Sequence, residues 1–367
     1  MNIPANIPYP GGSYHPFSRI GTGSGGEAAV YRALHTPTDI TALKTDYPFN
    51  SHRMLKILSR TEGNGEVFEE IVDDNRNILF THPKLITVER CFIHSSQRIL
   101  RIPRRIGPNA EMKVIYNADF VIAMEDMCGS IHDLLRTRQN LFGIGLPAKM
   151  VCFVLREVLE GLSFIHSEGL LHESLDTWSV FYSTKKYPAI KLNCWAGDFD
   201  MGILRHLDRR VTGNIRTTKK IECPETRTLI QHPYTPMSDV WHLGLMAIEM
   251  SLGLLETLDN KMADELIGCF RKANDVAQPM GLNMAGSSIS FPNMQVRGRL
   301  MKKSMGITIL SRSFSPLFVN FVVECTRGLP QERPDANILL NHPLFEAYLI
   351  DESEIQRALS EAHKRLA

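Results

Sequence analysis

The sequence lacks a long hydrophobic run, an excess of charge of one sign and any closely spaced pair of cysteines. Its 41 basic and 40 acidic side chains give a net charge of +1, which argues against a general nucleic-acid binder. The most apolar stretch, 243–255, contains Glu249 and is too short to span a bilayer. The seven cysteines have no C-x-x-C spacing, so they indicate reduced thiols and exclude a disulfide framework or a zinc site.

The chain does have enough apolar sequence for a large core. Of its 367 residues, 43% are hydrophobic, which excludes disorder of the whole chain and allows one large domain or two ordinary ones. No basic-then-apolar signal stands at its start. We therefore expect a soluble cytoplasmic protein, with nuclear or cortical pools as alternatives.

Hydrophobic periodicity divides the chain into a strand-rich part and a helical part. Residues 1–17 carry four prolines and a Gly-Gly pair, which predict a flexible tail. From 18 to about 126, alternating or β-branched segments predict strands around one helix-like stretch at 66–79. From 127 to 346 the periodicity is helical, as in 150–166. These patterns predict an α+β fold of two lobes with a cleft between them.

Two further segments stand apart from this pattern. Residues 273–313 are rich in Gly, Ser, Met and Asn, which predicts a long irregular insertion that is partly mobile. Residues 347–367 form a C-terminal tail that we expect to be helical.

The glycines Gly21, Gly23 and Gly26 form the pattern G-x-G-x-x-G. Glycines allow a backbone to approach phosphate oxygens and donate N–H groups to them. A dinucleotide-binding fold needs a helix after these glycines, but 28–34 is strand-like. The tripeptide Ala-Leu-Lys that ends at Lys44 follows about one hairpin later, and protein kinases place their phosphate-binding lysine in such an A-x-K. A plain glycine turn and a surface lysine are the alternatives.

Further motifs, in the same order along the chain, make it resemble the protein kinases. The resemblance implies a two-lobed protein-kinase fold over 18–346. The matching segments are 124–127 (gatekeeper and hinge), 172–179 (catalytic loop), 223–225 (A-P-E), 238–244 (the start of the central helix of the large lobe), and 332–334 with 341–345 (the end of the domain).

The resemblance also assigns roles to individual residues. It implies that Met124, Glu125 and Met127 contact the nucleotide. It implies a buried ion pair between Glu225 and Arg333, and it implies that Asp239 ties the catalytic-loop backbone to the central helix. The last three residues stabilise the fold with or without catalysis.

Several groups that phosphoryl transfer requires are missing from the catalytic loop. By resemblance, Ser174 replaces the aspartate that acts on the acceptor hydroxyl, Asp176 replaces a lysine, and Ser179 replaces a metal-binding asparagine. Counting back from His82, the glutamate expected to pair with Lys44 falls at Asp73, with Glu69 or Glu70 as alternatives. We therefore predict no catalytic residue, no metal site and no phosphoryl transfer.

The position of the metal-binding D-F-G motif is ambiguous. An ungapped alignment gives 194–196, Cys-Trp-Ala, which has no metal ligand and which we favour. Longer alignments give 198–200, Asp-Phe-Asp, or 200–202, Asp-Met-Gly. Even if Asp200 binds a metal, three groups of the catalytic loop remain absent, so the sequence predicts a pseudokinase.

Among kinases of the STE group, the chain resembles most the pseudokinase adaptor family STRAD (STE-related kinase adaptor), and more distantly the MAP kinase kinases. The similar segments are 312–318, 321–325 and 339–342, together with serine at position 174. The STRAD resemblance implies an ATP-bound protein that activates a partner serine/threonine kinase of the LKB type allosterically, together with an armadillo-like scaffold protein. Members dock the scaffold through a C-terminal Trp-Glu-Phe tail. Here the last tryptophan is Trp241, which argues against scaffold binding.

From these residues we expect ATP to bind without a strict need for Mg²⁺, because the glycine loop is present and the metal ligands are degraded. We expect the large lobe to bind the partner kinase. Arg209 and Arg210 should then contact an acidic surface of that kinase. The alternatives are a weakly active STE-group kinase resembling the MAP kinase kinases and a nucleotide-free scaffold with a kinase fold.

Overall fold

The structure is a computed structural model of the chain, and the residues that it describes form two compact units. The small unit contains Ile86–Met127 and the described residues up to 61. The large unit contains His82–Leu85 and the described residues from Cys128 onward. The described residues are 6–9, 11–22, 28–37, 52–61, 82–102, 111–142, 145–173, 175–184, 189–193, 221–227, 234–253, 259–277, 288–291, 294–300, 303–309, 312–348 and 351–365.

The small unit contains one antiparallel sheet of six strands in the order β1-β2-β3-β4-β6-β5. The strand bounds are Ile7–Tyr9 (β1), Gly12–Thr22 (β2), Ala28–Pro37 (β3), His52–Thr61 (β4), Val88–Ile102 (β5) and Glu111–Glu125 (β6).

The alternation of side chains along β4 explains why this sheet forms. Leu55 and Ile57 lie on one face, directly opposite Ala123 and Val121 of β6, and all four are buried. Lys56 lies on the other face. A period of two fixes the register, because a shift by one residue would exchange the two faces and remove Leu55 and Ile57 from this apolar cluster.

The first residues differ from the expected flexible tail, since they form β1 and the start of β2. Ile7 is 2% exposed and Tyr14 is fully buried. The ring of Tyr9 lies 5.1 Å from that of Tyr14 and 5.7 Å from that of Phe92 on β5. The apolar side chains of this segment pack against the sheet. The free energy gained by burying them outweighs the turn preference of the prolines and glycines in the segment.

The large unit is built from helices and short sheets. Three strands pair in the order β7-β8-β9. The strand bounds are Gly129–Ser130 (β7), Val180–Tyr182 (β8) and Ile190–Leu192 (β9); the helix bounds are Ile131–Phe142 (α1), Ala148–Ser167 (α2), Pro236–Leu252 (α3), Asn260–Ala277 (α4), Pro316–Cys325 (α5), Ala336–Leu340 (α6), Pro343–Ala347 (α7) and Glu352–Lys364 (α8).

Helix α3 is the central helix of the large unit, and it is buried over most of its length. Pro236 stands in its first turn, where a missing N–H costs nothing. Gly253 ends it with a φ of 112°, which only glycine adopts readily.

The segment His82–Leu85 belongs to the large unit, although the sequence places it in the small lobe. Lys84 Nζ donates to both carboxylate oxygens of Glu157 on α2 at 2.6 Å. The Lys84 carbonyl also accepts a hydrogen bond from the Leu192 amide at 2.8 Å. These contacts hold the segment against α2 and β9.

The region expected to be an irregular insertion at 273–313 contains regular structure. Helix α4 continues to Ala277, because Leu266, Phe270 and Asn274 repeat every four residues and are buried. Two antiparallel pairs follow, β10 with β13 and β11 with β12. The strand bounds are Ile289–Phe291 (β10), Met294–Leu300 (β11), Lys303–Ile309 (β12) and Arg312–Phe314 (β13).

Among the helices that the structure describes, none has the length and hydropathy needed to cross a bilayer.

Candidate functional site

A buried lysine lies at the centre of the small-unit sheet. Lys56 is 1% exposed and lies on β4 between Val30 of β3 and Ile122 of β6. β4 is the second strand after the glycine pattern. By resemblance, the phosphate-binding lysine of a kinase lies on that strand. Lys44, which the sequence suggested for that position, lies outside the described residues. The sequence analysis did not single out Met-Leu-Lys ending at Lys56, because Ala-Leu-Lys matches the kinase pattern better, and Lys44 stays a prediction.

The hinge segment at the end of β6 is strongly fixed by its own side chains. The Glu125 carboxylate accepts the Thr87 amide at 2.7 Å, and the Glu125 amide donates to the Thr87 carbonyl at 3.0 Å. Arg32 donates twice to Asp126, at 3.0 Å each. Met124 and Met127 are buried. Within the described residues no hydrogen bond is formed to the Met127 amide.

In the large unit, Asp239 at the start of α3 holds the loop that resembles a catalytic loop. Its carboxylate accepts the amides of His172 at 2.8 Å and Glu173 at 2.9 Å. It also contacts His166 Nε2 at 3.0 Å and accepts from the Tyr234 hydroxyl at 2.7 Å. Burial alone would raise the pKa of Asp239, but the contacts with His166 and His172 lower it to about 2. These bonds form the link that the resemblance implied.

A buried ion pair joins two distant segments of the large unit. Arg333 donates to both oxygens of Glu225 at 2.8 Å, and both residues are less than a tenth exposed. The Ser238 hydroxyl donates to the same carboxylate at 2.7 Å. Although burial opposes ionisation, these bonds lower the pKa of Glu225 to about 2. The carboxylate is therefore ionised at neutral pH, as a structural ion pair requires.

Asp176 lies where the resemblance expects a lysine, and its carboxylate is turned into its own loop. Its Oδ1 accepts the amides of Trp178 at 2.9 Å and Ser179 at 3.0 Å. Burial, and then the charge of Glu249, raise the pKa of Asp176 to about 7. The side chain closes a local turn of the Asx type. It supplies a partly protonated acid where a kinase supplies a cation.

The hydroxyl of Ser179 is also used within the loop. It donates to the Asp176 carbonyl at 2.8 Å and accepts the Asp176 amide at 3.2 Å. Ser179 is 3% exposed. Its short side chain therefore helps to close the turn. By resemblance, a metal-binding asparagine is expected at this position.

A polar cluster beneath this loop escaped the sequence analysis. Thr177 is fully buried, and its hydroxyl donates to Glu249 of α3 at 2.9 Å and lies 3.2 Å from His132 Nδ1 of α1. The His132 ring stacks on Trp178 with centroids 3.6 Å apart. Because these residues come from two helices and a loop, no local pattern in the sequence could have brought them together.

Several residues that the sequence singled out lie outside the described part of the chain. Gly21 is described, near the end of β2. Among the described residues, no group of three or more His, Cys, Asp or Glu side chains could hold a metal ion. The residues outside are Gly23, Gly26, Lys44, Asp73, Ser174, Arg209 and Arg210, together with the D-F-G alternatives within 194–202.

Comparisons with known proteins agree with this geometry. The model of the protein kinase domain family matches residues 14–345. The chain is similar to the STE20-related kinase adapter protein alpha of Mus musculus, with 24% identity over 369 residues that cover 96% of this chain and 75% of the relative. The Homo sapiens protein of that name is 23% identical with the same coverage. Mitogen-activated protein kinase 12 of Mus musculus is 25% identical over 236 residues, covering 64% of this chain and 59% of the relative.

Proposed function

The chain belongs to the protein kinase family, and we propose that it acts as a pseudokinase adaptor that binds a partner kinase without transferring phosphate. One observation supports this proposal: Asp176 Oδ1 accepts two amides of its own loop, and the Ser179 hydroxyl donates to the Asp176 carbonyl in the same loop. Phosphoryl transfer needs positive charge and metal ligands around the moving phosphate. Asp176 is an acid where a kinase has a cation, Ser179 is a shorter and weaker metal ligand than the asparagine it replaces, and Ser174 in the same loop removes the carboxylate base.

The small unit has side chains that suit a nucleotide. A buried ammonium such as Lys56 pairs well with phosphate oxygens, and the Met127 amide is a free donor for a base edge within the described residues. We propose that ATP is held by Lys56, by the backbone at Gly21, Gly23 and Gly26, and by the hinge at 124–127. Bound ATP would add phosphate charge beside Lys56. Since the metal ligands of the catalytic loop are replaced, binding does not depend strictly on Mg²⁺.

The partner in this proposal is another protein kinase. The similar Mus musculus and Homo sapiens proteins are named kinase adapter proteins, and the similarity covers 96% of this chain. We propose a serine/threonine kinase of the LKB type, contacted by the basic segment that contains Arg209 and Arg210. The bonds of Glu225 and Asp239 keep the large unit in a kinase fold, which an adaptor needs as much as an active kinase does.

A weakly active kinase is the second candidate, and one observation favours it. A carboxyl with a pKa near the working pH is suited to general base catalysis, and the pKa of Asp176 is raised to about 7. The similarity to mitogen-activated protein kinase 12 points the same way. Asp176→Asn separates the candidates, because it abolishes any phosphoryl transfer that uses this carboxyl as base and leaves binding of a partner kinase intact.

Thermal unfolding with ATP tests the nucleotide part of the proposal. Ligand at 100 times its Kd stabilises a folded protein by about 2.7 kcal/mol. We expect wild type and the control Lys261→Met, a change of an exposed lysine on α4, to gain this stability with or without Mg²⁺. Lys56→Met should gain much less. A wild-type protein whose melting is unchanged by millimolar ATP would favour the nucleotide-free scaffold.

Binding of the partner is tested by pull-down of an LKB-type kinase with purified protein. Wild type should retain the kinase and raise its activity, and the double variant Arg209→Glu/Arg210→Glu should do both more weakly. If both proteins retain and activate the kinase equally, this segment is not part of the interface.

A further inference from the structure

A long stretch of the large unit has no acidic residue. Residues 276–323 contain neither aspartate nor glutamate, although the chain as a whole has 41 basic and 40 acidic side chains. A stretch of one charge sign on an otherwise balanced protein favours contact with an anionic partner. The basic residues of the stretch are Arg297, Arg299, Lys302, Lys303 and Arg312.

The strands of this stretch form an arm, in which β10 and β13 are the base and β11 and β12 are the tip. Phe314 of β13 is 8% exposed, and its ring lies 5.5 Å from that of Phe270 on α4 and 5.4 Å from that of Phe318 on α5. Strand β11 also lies against α4. The base of the arm is therefore attached to the large unit by aromatic packing.

The register of the tip places two arginines on one face. Arg297 is paired with Gly306, and Arg299 is paired with Ser304. Residues two apart on a strand share a face of the sheet, and so do residues that are paired in register. This shared face therefore contains both arginines and no acidic residue. The other face contains Met294, Val296, Gly298, Leu300, Lys303, Met305, Ile307 and Ile309.

Both strands of the tip are edge strands. Among the residues that the structure describes, β11 and β12 pair only with each other. The outer edge of such a strand can accept a further strand through its backbone N–H and C=O groups. Arg297 and Arg299 lie about 7 Å apart along β11, given the rise of a strand. Every second side chain of an extended peptide has the same spacing.

We propose that the outer edge of β11 binds an extended acidic segment of a partner protein, which adds to the tip as a third strand. Acidic residues at every second position of that segment lie beside Arg297 and Arg299. A guanidinium binds a carboxylate through two parallel hydrogen bonds, and the backbone pairing supplies the rest of the affinity. No carboxylate within 276–323 competes for the arginines. This interaction goes beyond the proposed adaptor role and needs no bound ATP.

Labelled peptides and the full-length chain test the third strand. The probe is a short peptide that alternates glutamate and threonine, and its control has the same composition with all glutamates grouped together. Wild type should bind the alternating peptide at least about tenfold more tightly than the grouped one. The variant Arg297→Glu/Arg299→Glu should lose at least about tenfold in affinity for the alternating peptide. The control Arg357→Glu/Lys364→Glu makes the same change in charge at exposed positions of α8 and should leave this affinity unchanged.

Methylation of every second backbone nitrogen of the alternating peptide tests the strand pairing on wild type alone. An added strand uses only one of its two edges, so one methylated peptide should bind like the parent and the other at least about tenfold more weakly. Equal binding of the two methylated peptides would overturn the third strand, and so would equal binding of the parent peptide to wild type and Arg297→Glu/Arg299→Glu. Phosphatidylserine vesicles or single-stranded RNA that bind wild type, when the alternating peptide does not, would show a general anion-binding arm and would also overturn the proposal.

Discussion

The carboxylate of Asp176 is held by two amides of its own loop and lies near the charge of Glu249. Its pKa is raised from 3.8 in the unfolded chain to about 7. Between these two values the folded chain binds more protons than the unfolded chain. The free energy of unfolding therefore falls as pH rises from about 4 to about 7.

At this scale we predict that Asp176→Asn stabilises the protein at high pH. The amide oxygen of Asn keeps both backbone hydrogen bonds, and the charge is removed from the neighbourhood of Glu249. The free energy of unfolding at pH 8 should rise by about 1–2 kcal/mol, and its decline between pH 4 and 7 should flatten. Urea unfolding at several pH values measures this, with the exposed Glu361→Gln as the control. A variant that is less stable than wild type at pH 8 would contradict the raised pKa of Asp176.

Single residues also show the limit of sequence analysis. Lys44 and Lys56 each end a tripeptide that fits a strand, and the choice between them depends on which strand lies between β3 and β6 in the sheet. Pairing between distant strands leaves no local trace. The cluster of His132, Thr177 and Glu249 was missed for the same reason, whereas Asp239 and Glu225 were found because short motifs surround them.

An ion pair joins two elements of the large unit. Glu225 lies in a short 3₁₀ turn, and Arg333 directly follows a second 3₁₀ turn. We predict that Glu225→Gln lowers the free energy of unfolding by about 3–5 kcal/mol, because Arg333 stays buried without a partner charge. The control Asp264→Asn removes the partner of Arg227 at a site that is 54% exposed, and it should cost less than about 1 kcal/mol.

The pH dependence of this ion pair has a defined sign. The pKa of Glu225 is lowered to about 2 from 4.5, so its stabilising effect is complete above pH 4.5 and disappears as pH falls toward 2. Wild type and Glu225→Gln should therefore differ most at neutral pH and approach each other in acid. A difference that stays constant from pH 7 to pH 3 would contradict an ionised, buried carboxylate.

Packing between helices supplies a further prediction at the element scale. A Cβ added to Gly244 on α3 would lie 2.6 Å from Thr326 Cγ2 and 2.8 Å from Cys325 Cβ. Gly244→Ala should therefore lower the free energy of unfolding by about 1–3 kcal/mol. Gly268 on α4 is the matched control, since nothing lies within 4 Å of its added Cβ, and Gly268→Ala should raise stability by about 0.4–1 kcal/mol. Thermal melts of both variants measure the contrast, and equal effects would refute it.

Elements were predicted well where periodicity was strong and poorly where composition was used in its place. The helix pattern at 150–166 lies within α2, Ala148–Ser167. Prolines and glycines suggested a flexible tail and an irregular insertion, yet β1, β2 and β10 to β13 form there. Strand pairing and burial of Ile7 and Tyr14 outweigh local turn preferences, and composition alone does not report them.

At the scale of the whole molecule, the order of short motifs predicted the protein kinase fold, and the family match over 14–345 confirms it. Function follows less directly, because the same fold holds active kinases and adaptors. The bonds at Glu225 and Asp239 maintain the fold in either case. Within the described residues, the two interpretations differ at the loop of Asp176 and Ser179, where Asp176 Oδ1 and the Ser179 hydroxyl close a turn.

Transfer of label from γ-labelled ATP tests the central claim most directly. Purified wild type, Lys56→Met and Asp176→Asn are incubated with ATP, with and without Mg²⁺, and with a catalytically dead partner kinase as acceptor. We predict that transfer by wild type does not exceed that of either variant, while wild type still binds ATP and the partner. Transfer by wild type that is lost in both Lys56→Met and Asp176→Asn would show an active kinase and contradict the account.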